Sequence, residues 1–322
     1  MIQSTLGIDI GGTHTKYGLV DKQGNLLMEG NMPTSEHEDV NEFLRVLSRN
    51  ITSKFDAIDE DFELKAVGVG VPNGNFYNGT IEHAPNLNWK GIVPLAELLK
   101  THFNVPVVLT NDANAAAIGE QVFGGAQGMD DFVIITLGTG LGGGIMSNDK
   151  LIYGHDGLAG ELGHLNVYPE GRPCNCGKNG CLETYASATG LKKTVLELLE
   201  QRTDETPLRG STFESLSGKV ITDLAVSGDP IASAAIDYTA KILGLKLADI
   251  AAATSPKAFF IAGGLAKAGN ILMDSTRDYF EQYIYPPMQG KIEIKLSHLM
   301  DKNAAVLGAS ALAWGQLSKA IN

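Results

Sequence analysis

The sequence predicts an α/β fold with two lobes, each built from a sheet and helices. The chain has 322 residues, which is long enough to bury two cores. Apolar runs of strand length alternate with longer stretches of helical periodicity. A pattern of strand, glycine turn, strand and polar turn also occurs twice, as LGIDIGGTHTKYGLVDKQGNLL from Leu6 and as VIITLGTGLGGGIMSNDKLI from Val133. This internal repeat indicates that each lobe contains one copy of the same hairpin.

The composition excludes several classes of function. The formal net charge is −12, from 37 acidic and 25 basic residues, and Lys and Arg form no cluster, so a nucleic-acid partner is not expected. No apolar run approaches the roughly 20 residues of a membrane helix, and the N-terminus lacks the features of a secretory signal. The three cysteines are odd in number and closely spaced, which favours a reducing compartment. We therefore expect a cytoplasmic protein without nucleic-acid or membrane partners.

The first hairpin carries a candidate phosphate-binding turn. The predicted strand Leu6–Ile10 is followed by Gly11–Gly12–Thr13 and by a second strand, Lys16–Val20. A glycine turn lets backbone N–H groups approach phosphate oxygens, whereas a Walker P-loop is excluded because its motif is absent and a strand follows the turn. An ordinary hairpin would explain the turn but not Asp9, a carboxylate inside an apolar strand. We interpret Asp9 as a magnesium-side group that acts through water.

The next predicted elements are a helix, a strand and a loop. Ser35-x-x-Glu38 matches a capping box, and the apolar spacing after it predicts a helix over Val40–Phe55. Leu64–Val71 is predicted as a buried strand, and Pro72–Trp89 as a long polar loop that opens with a turn.

Asn111 and Asp112 directly follow the predicted strand Val105–Thr110, and the small-residue run to Ala117 predicts a helix after them. A carboxylate between a strand and a helix is the usual position of a site residue in an α/β protein. Either residue would also serve as a simple helix cap. The local sequence leaves both interpretations open.

The second hairpin carries another glycine turn. The predicted strand Phe132–Leu137 is followed by Gly138–Gly144, which satisfies G-x-G-x-x-G. A Rossmann site would require a helix here, whereas Ile145–Met146 and Leu151–Ile152 flank a polar turn and predict a hairpin. We therefore interpret this run as a second phosphate turn.

A structural metal site is predicted between Glu161 and Glu183. The stretch contains all three cysteines of the chain and one histidine, namely His164, Cys174, Cys176 and Cys181. One imidazole and three thiolates form the tetrahedral set that zinc prefers in structural sites. Three ordinary buried cysteines are the alternative, but these would not be expected to cluster in a short, polar, glycine-rich loop. Four protein ligands leave no open position, so the zinc would build the loop rather than perform chemistry.

The rest of the chain continues to alternate helices and strands. The predicted elements are helix Thr184–Gln201, polar segment Arg202–Gly218, helix Pro230–Thr254, strand Lys257–Ala262, helix Asn270–Ile284, strand Lys291–Ser297 and helix Ala304–Leu317.

Three of these motifs resemble those of one family. ELGH at residues 161–164, CNCGKNGCLETYASATG from Cys174 and NDANAA from Asn111 resemble the signatures of the ROK family (repressors, open reading frames, kinases), and within it the glucokinase branch. The resemblance extends in family order from Asp9 to Gly264. It implies an actin-like (ribonuclease H-like) ATPase fold, an ATP-dependent hexose kinase, structural Zn²⁺, and Mg²⁺ bound with ATP. It also implies a small lobe of residues 1–111 with a C-terminal helix at about 303–322, a large lobe of residues 112–302, and a homodimer or homotetramer.

The resemblance assigns a role to each candidate residue. It implies that Asp112 is the general base that takes the proton from the sugar hydroxyl. The sugar would be held by Gly74, Asn86, Asn111, Asp112, Glu161, His164 and Glu183. The nucleotide and its magnesium would be bound by Asp9, Gly11, Gly12, Thr13, Lys16, Gly138, Thr139, Gly140, Gly263 and Gly264. For the last two, a plain strand-to-helix turn is the alternative.

D-Glucose is the expected acceptor because the sequence around the cysteines resembles that of the glucokinase branch. Kinases for N-acetylmannosamine, N-acetylglucosamine and mannose share the scaffold, and the shape of the pocket decides between them. Sugar-sensing repressors of the same family carry a DNA-binding domain ahead of the kinase-like core, whereas the first hairpin begins here by Leu6. A zinc-ribbon interaction module would not account for Asp112 or for the paired glycine hairpins.

Overall fold

The structure is a computed structural model that describes residues 1–300 and 303–320. The strands are β1 Ile2–Ile10, β2 His14–Asp21, β3 Leu26–Pro33, β4 Phe62–Gly70, β5 Gly74–Asn75, β6 Thr80–Glu82, β7 Ile92–Val93, β8 Val107–Thr110, β9 Phe132–Leu137, β10 Leu141–Ser147, β11 Lys150–Leu151, β12 Ala258–Ala262 and β13 Glu293–Leu296. The helices are α1 Val40–Phe55, α2 Leu95–Phe103, α3 Asp112–Phe123, α4 Ala188–Gln201, α5 Gly218–Val226, α6 Pro230–Thr254, α7 Asn270–Tyr283 and α8 Ala304–Ala320. The predicted α/β class is confirmed.

The chain divides into two compact units. The first comprises residues 1–129, residues 144–160 and those from Ser297 onward, and the second comprises residues 130–143 and 161–296. Helix α3 groups with the first unit because it packs against α8. The functional division into lobes at residues 111 and 112 stays a prediction. Residues 321 and 322 of the predicted C-terminal helix, and residues 301 and 302, lie outside the described residues.

The sheet of the first unit has the strand order β3-β2-β1-β4-β8. Strand β1 pairs antiparallel with β2 and parallel with β4, and β4 pairs parallel with β8. Leu6 and Ile8 of β1 lie in one core with residues of α1 and α2. Because side chains alternate along a strand, Gly7 faces the opposite side, where α8 packs. The sheet is therefore covered by helices on both faces.

Two glycines allow α8 to approach this sheet closely. A Cβ atom on Gly7 would lie 2.1 Å from the carbonyl oxygen of Val306, and one on Gly68 would lie 1.8 Å from that of Ala309. Any larger residue at either position would force the helix away from the sheet.

Helix α1 has the predicted bounds but a different cap. The side chain of Asp39 accepts a hydrogen bond from the backbone N–H of Glu42 at 2.8 Å, so Asp39 is the N-cap and the prediction of a Ser35 cap is wrong. Asp39-x-x-Glu42 has the same pattern as Ser35-x-x-Glu38, a residue that favours the N-cap followed three positions later by Glu.

The polar segment 72–89 contains more structure than predicted. Strands β5, β6 and β7 form a small antiparallel sheet. Asn75 organises it, because its side chain is buried, donates to the carbonyl of Asp156 at 2.8 Å and accepts from the N–H of Tyr77 at 3.0 Å. These strands are only two or three residues long and are held by polar contacts such as those of Asn75, so the segment shows no apolar periodicity. For that reason the sequence predicted a loop.

In the second unit, β12 lies between β9 and β13 and pairs parallel with both. Helix α6 packs against α4, α5 and α7. The predicted helix from Thr184 begins only at Ala188, because a 3₁₀ turn over Leu182–Thr184 precedes it and Ser187 is its N-cap. Helix α5 was not predicted.

Over the described parts of the chain, no helix combines the length and the apolar character needed to cross a membrane.

Candidate active site and metal centre

The first unit brings two carboxylates together at the carboxyl ends of parallel strands. Asp9 is the penultimate residue of β1 and pairs in register with Gly70 of β4, while Asp112 begins α3 directly after β8. Gly70 lies beside both residues, since a Cβ atom on it would lie 4.0 Å from the side-chain oxygen Oδ1 of Asp9 and 3.5 Å from the backbone Cα of Asp112. This edge of an open α/β sheet is where ligands bind.

Burial gives both carboxyl groups a high proton affinity. Desolvation, followed by the charge of Asp112, raises the pKa of Asp9 from its ordinary 3.8 to about 7, whereas Lys16 opposite it on β2 acts to lower it. Desolvation also raises the pKa of Asp112, although the N–H of Ala113 acts in the other direction. A pair of partly buried carboxylates of this kind favours a proton or a cation beside it.

Asn111 and Asp112 both contribute to the start of α3. Asn111 is the N-cap, since its side-chain oxygen accepts from the N–H of Ala113 at 2.8 Å, and Asp112 Oδ1 accepts from the same N–H at 2.9 Å. Asn111 alone would be enough for the cap, so a second carboxylate here, beside Asp9, suggests a role beyond capping. Gly74 packs against Thr110, the residue before Asn111, because a Cβ atom on Gly74 would lie 2.6 Å from the carbonyl oxygen of Thr110.

The first glycine turn lies beside Asn86. The N–H of Gly11 donates to the carbonyl of His14 at 3.0 Å, which closes the turn. A Cβ atom on Gly12 would lie 2.5 Å from the carbonyl oxygen of Asn86, and Thr13 is exposed at the tip. Within this unit, the structure thus places one residue predicted for the sugar against one predicted for phosphate.

The second unit places its two glycine turns at one sheet edge. Gly138–Gly140 follows β9 and Gly263–Gly264 follows β12, and these parallel strands are in register up to Thr136 and Ala262. Gly263 has a φ of +92°, and a Cβ atom on it would lie 2.5 Å from the carbonyl oxygen of Leu137. Only glycine fits at that position.

The four predicted zinc ligands converge in the second unit. Their ligand atoms, from His164, Cys174, Cys176 and Cys181, all lie within 4.8 Å of one another. The sulfur atoms of Cys176 and Cys181 are 3.6 Å apart, and Cys174 Sγ is 3.8 Å from His164 Nδ1. Tetrahedral zinc with Zn–S bonds of about 2.3 Å and a Zn–N bond of about 2.0 Å would separate its ligand atoms by about 3.5–3.8 Å. The donor set and its spacing therefore fit a zinc ion.

Two glycines shape the loop that carries these ligands. Gly177 has a φ of +89° and Gly180 a φ of +74°. A Cβ atom on Gly180 would lie 1.7 Å from the carbonyl oxygen of Tyr168. The loop can thus fold back on itself tightly enough to bring the cysteines together.

Two carboxylates line the edge of the metal centre. Glu183 Oε1 lies 2.9 Å from Cys174 Sγ and 3.9 Å from His164 Nδ1, while Glu161 Oε2 lies 3.9 Å from His164 Nε2. The histidine thus presents one ring nitrogen to the cysteines and the other to Glu161. A Cβ atom on Gly140 would lie 2.5 Å from Glu183 Oε2, so the second phosphate turn directly contacts this carboxylate.

Sequence reasoning missed one residue of this centre. Arg172 lies in the metal loop, is 9% exposed and pairs with Glu197 of α4. In the sequence it is one of three charged residues in a polar loop, with Glu170 and Lys178. Its position two residues before Cys174 could have indicated a structural role. An arginine inside a compact metal loop has little access to water and needs hydrogen-bond acceptors from the protein.

A profile of the ROK family matches residues 5–316. The chain belongs to the ROK family. The glucokinase of Halalkalibacterium halodurans is 35% identical over 318 residues, which cover 95% of this chain and 94% of that protein. The crystal structure of a ROK family glucokinase from Streptomyces griseus in complex with glucose and AMPPNP is 34% identical, with a TM-score of 0.81, and the match covers 97% of this chain and 99% of that one. These likenesses confirm the predicted actin-like α/β fold.

This ROK chain is also similar to a regulator. The xylose repressor of Caldicellulosiruptor bescii is 29% identical over 320 residues, which cover 97% of this chain and 78% of that protein. ROK membership therefore does not by itself distinguish a kinase from a regulator, and the chemistry of the site has to decide.

Proposed function

We propose that this ROK protein is an ATP-dependent hexose kinase that converts D-glucose and ATP to glucose 6-phosphate and ADP. The observation that carries the proposal is the partly buried carboxyl pair of Asp9 and Asp112, which lies where the parallel strands β1 and β8 end. The likeness to glucokinases along nearly the whole chain supports the hexose and the nucleotide. A regulator that only binds sugar would not require a general base at this position.

Asp112 is the proposed general base. The oxygen at carbon 6 of glucose attacks the γ-phosphorus in line, a new O–P bond forms, and the bond to the bridging oxygen of ADP breaks. The hydroxyl proton passes to the Asp112 carboxylate. Burial raises the pKa of this carboxyl, which makes its ionised form a stronger proton acceptor. General-base catalysis of this kind contributes about 10²–10⁴-fold to the rate.

The glycine turns and Asp9 are the proposed nucleotide-side groups. The N–H groups of Gly11 and Gly138 close the two turns by donating to the carbonyls of His14 and Gly140. The backbone N–H groups of Gly12 and Gly140 would donate to phosphate oxygens, with Thr13 and Thr139 exposed at the turns. Asp9 offers the carboxylate oxygen that a magnesium site prefers. Mg²⁺ bound with ATP supplies charge neutralisation at the phosphates.

Glu161, His164, Glu183 and Asn111 are the proposed sugar-side groups. A carboxylate accepts hydrogen bonds from two vicinal hydroxyls, which suits a pyranose. Glu161 and Glu183 lie on either side of His164, within 3.9 Å of its two ring nitrogens, so the metal loop would set their spacing.

Zinc is the proposed structural ion of this loop. The distances between the ligand atoms support tetrahedral coordination by His164, Cys174, Cys176 and Cys181. All four positions are taken by protein atoms, so the role of the ion is to hold the loop.

Replacement of Asp112 by Asn tests the general base. The amide keeps the shape of the side chain but cannot accept the hydroxyl proton, so kcat should fall by about 10²–10⁴-fold while calorimetry still detects glucose binding. Asp59→Asn, in an exposed loop, is the matched control and should retain full activity. An Asp112→Asn variant within about tenfold of the parent kcat would show that Asp112 is not the base.

Several finer assignments stay predictions. These are the choice of glucose over N-acetylmannosamine, N-acetylglucosamine or mannose, the homodimer or homotetramer, and the cytoplasmic location.

A further inference from the structure

Arg172 uses each of its five N–H donors. Nε and Nη2 donate to the two carboxylate oxygens of Glu197 at 2.7 and 2.5 Å. Nη1 donates to the carbonyls of Thr184 and Gly190 at 2.7 and 3.2 Å, and Nη2 also donates to Thr194 Oγ1 at 2.9 Å. A guanidinium group has five N–H groups, so its hydrogen-bonding capacity is fully used.

The backbone and the flat face of Arg172 are held as well. Its N–H donates to the hydroxyl of Tyr185 at 2.9 Å, and its guanidinium lies 4.5 Å from the centroid of the Tyr185 ring. Its carbonyl accepts from the N–H of Gly180 at 2.8 Å. Gly180 directly precedes Cys181, and Arg172 precedes Cys174 by two residues. Arg172 therefore ties together the two sides of the metal loop.

The hydrogen bond to Thr184 gives this network its functional importance. Thr184 ends the 3₁₀ turn that follows Cys181 and directly follows Glu183. The same network holds α4 through Gly190, Thr194 and Glu197, and the first N–H of α4, from Ala188, donates to the carbonyl of Gly138 at 2.9 Å. Arg172 thus links the turn that carries Glu183 to the helix that supports the second phosphate turn.

We propose that Arg172 is a positioning residue that fixes the turn carrying Cys181 and Glu183, and thereby sets both the retention of zinc and the affinity for the acceptor sugar. The effect on sugar affinity rests on the proposed kinase function, whereas the effect on zinc does not. Lysine cannot replace arginine here, because it keeps the charge but has three donors and no planar fork. With lysine, at least two of the five acceptors would lose their partner, and three of the five (the carbonyls of Thr184 and Gly190 and the hydroxyl of Thr194) are buried.

A matched pair of substitutions tests this inference. Arg172→Lys is compared with Arg202→Lys, because Arg202 also makes a two-pronged pair, with Asp204 at 2.8 and 3.0 Å, just beyond the other end of α4. Three quantities are measured on the full chain: the rate of zinc transfer to a chromogenic chelator, the visible absorption of the Co²⁺-substituted protein, and the steady-state constants for glucose and ATP.

Arg172→Lys should release zinc about tenfold faster or more and raise the KM for glucose by about tenfold, with kcat and the KM for ATP changed less than about threefold. The Co²⁺ spectrum should shift, and Arg202→Lys should match the parent. If Arg172→Lys only lowers the thermal midpoint, with zinc release, Co²⁺ spectrum and glucose KM unchanged, Arg172 is merely structural and the inference is wrong.

If Arg172→Lys fails to fold, Glu197→Gln provides the second variant. It is expected to fold because Glu197 is half-exposed and glutamine has nearly the same size as glutamate. It should shift zinc release and glucose KM in the same direction by a smaller factor, and unchanged values would overturn the inference. If the parent phosphorylates no hexose, the proposed function fails, but zinc release and the Co²⁺ spectrum still decide the role of Arg172.

Discussion

Substitution of Asp9 by Asn tests the electrostatics of the carboxylate pair. The pKa of Asp9 is raised to about 7 in the folded protein, whereas an unfolded aspartate titrates near 3.8. Below pH 4 the carboxyl is protonated in both states. Between pH 4 and pH 7 the unfolded chain loses this proton while the folded protein retains it, so the free energy of unfolding falls as the pH rises.

The size of the effect follows from the shift. Each pKa unit corresponds to about 1.4 kcal/mol, so a rise of about three units lowers the free energy of unfolding by about 4 kcal/mol between pH 4 and pH 7. Asparagine has nearly the same shape and does not titrate. Asp9→Asn should therefore match the parent near pH 4 and be more stable above pH 7 by up to about 4 kcal/mol.

Urea denaturation of the nucleotide-free protein at pH 5, 6, 7 and 8 measures this difference. Asp59→Asn, which removes an exposed carboxyl, should stay within about 0.5 kcal/mol of the parent at each pH. The same Asp9→Asn variant should lose activity if Asp9 serves the magnesium side. A stability difference that is constant with pH, or an Asp9→Asn protein less stable than the parent at pH 8, would refute the reasoning.

Two further predictions concern the metal centre. Cys176→Ser should lower bound zinc from one ion per chain to nearly none and raise the KM for glucose, as measured by metal analysis and kinetics, and a zinc-free variant with parental KM would contradict the structural role of the metal. Gly140→Ala should lower kcat/KM for glucose by about tenfold or more, because the added Cβ would lie 2.5 Å from Glu183 Oε2, whereas Gly315→Ala, with nothing near its Cβ, should have no effect. Parental kcat/KM in Gly140→Ala would mean that Glu183 is not a sugar ligand.

Much of the fold could be predicted because its elements carry periodic apolar patterns. The bounds of α1, α6 and β9 follow directly from such patterns. Helix α5 and the small sheet β5–β7 could not be predicted, since they are short and are fixed by tertiary contacts such as the buried side chain of Asn75. The cap of α1 was misplaced because two consecutive runs, Ser35–Glu38 and Asp39–Glu42, each have a capping residue followed three positions later by Glu.

The candidate site was predictable where the chemistry is carried by residue type. Three cysteines and one histidine in a short loop predict a zinc site, and their ligand atoms converge as such a site requires. Contacts between glycines and distant side chains could not be predicted, because a glycine has no side chain whose type indicates its neighbour. The role of Arg172 was also hidden, since its five partners include two backbone carbonyls and three side-chain atoms on α4 and the turn before it.

The most direct test of the proposed kinase activity is sugar-dependent release of ADP from Mg²⁺·ATP by the zinc-loaded protein. The acceptors are D-glucose, N-acetylmannosamine, N-acetylglucosamine and mannose, and the phosphorylated product is identified in each case. A glucose-specific kinase should release one ADP per glucose 6-phosphate formed, with a kcat/KM for glucose at least about tenfold above that for the other sugars. A faster reaction with an N-acetylated sugar would contradict the choice of glucose. The absence of sugar-dependent ADP release with every acceptor would contradict the kinase itself.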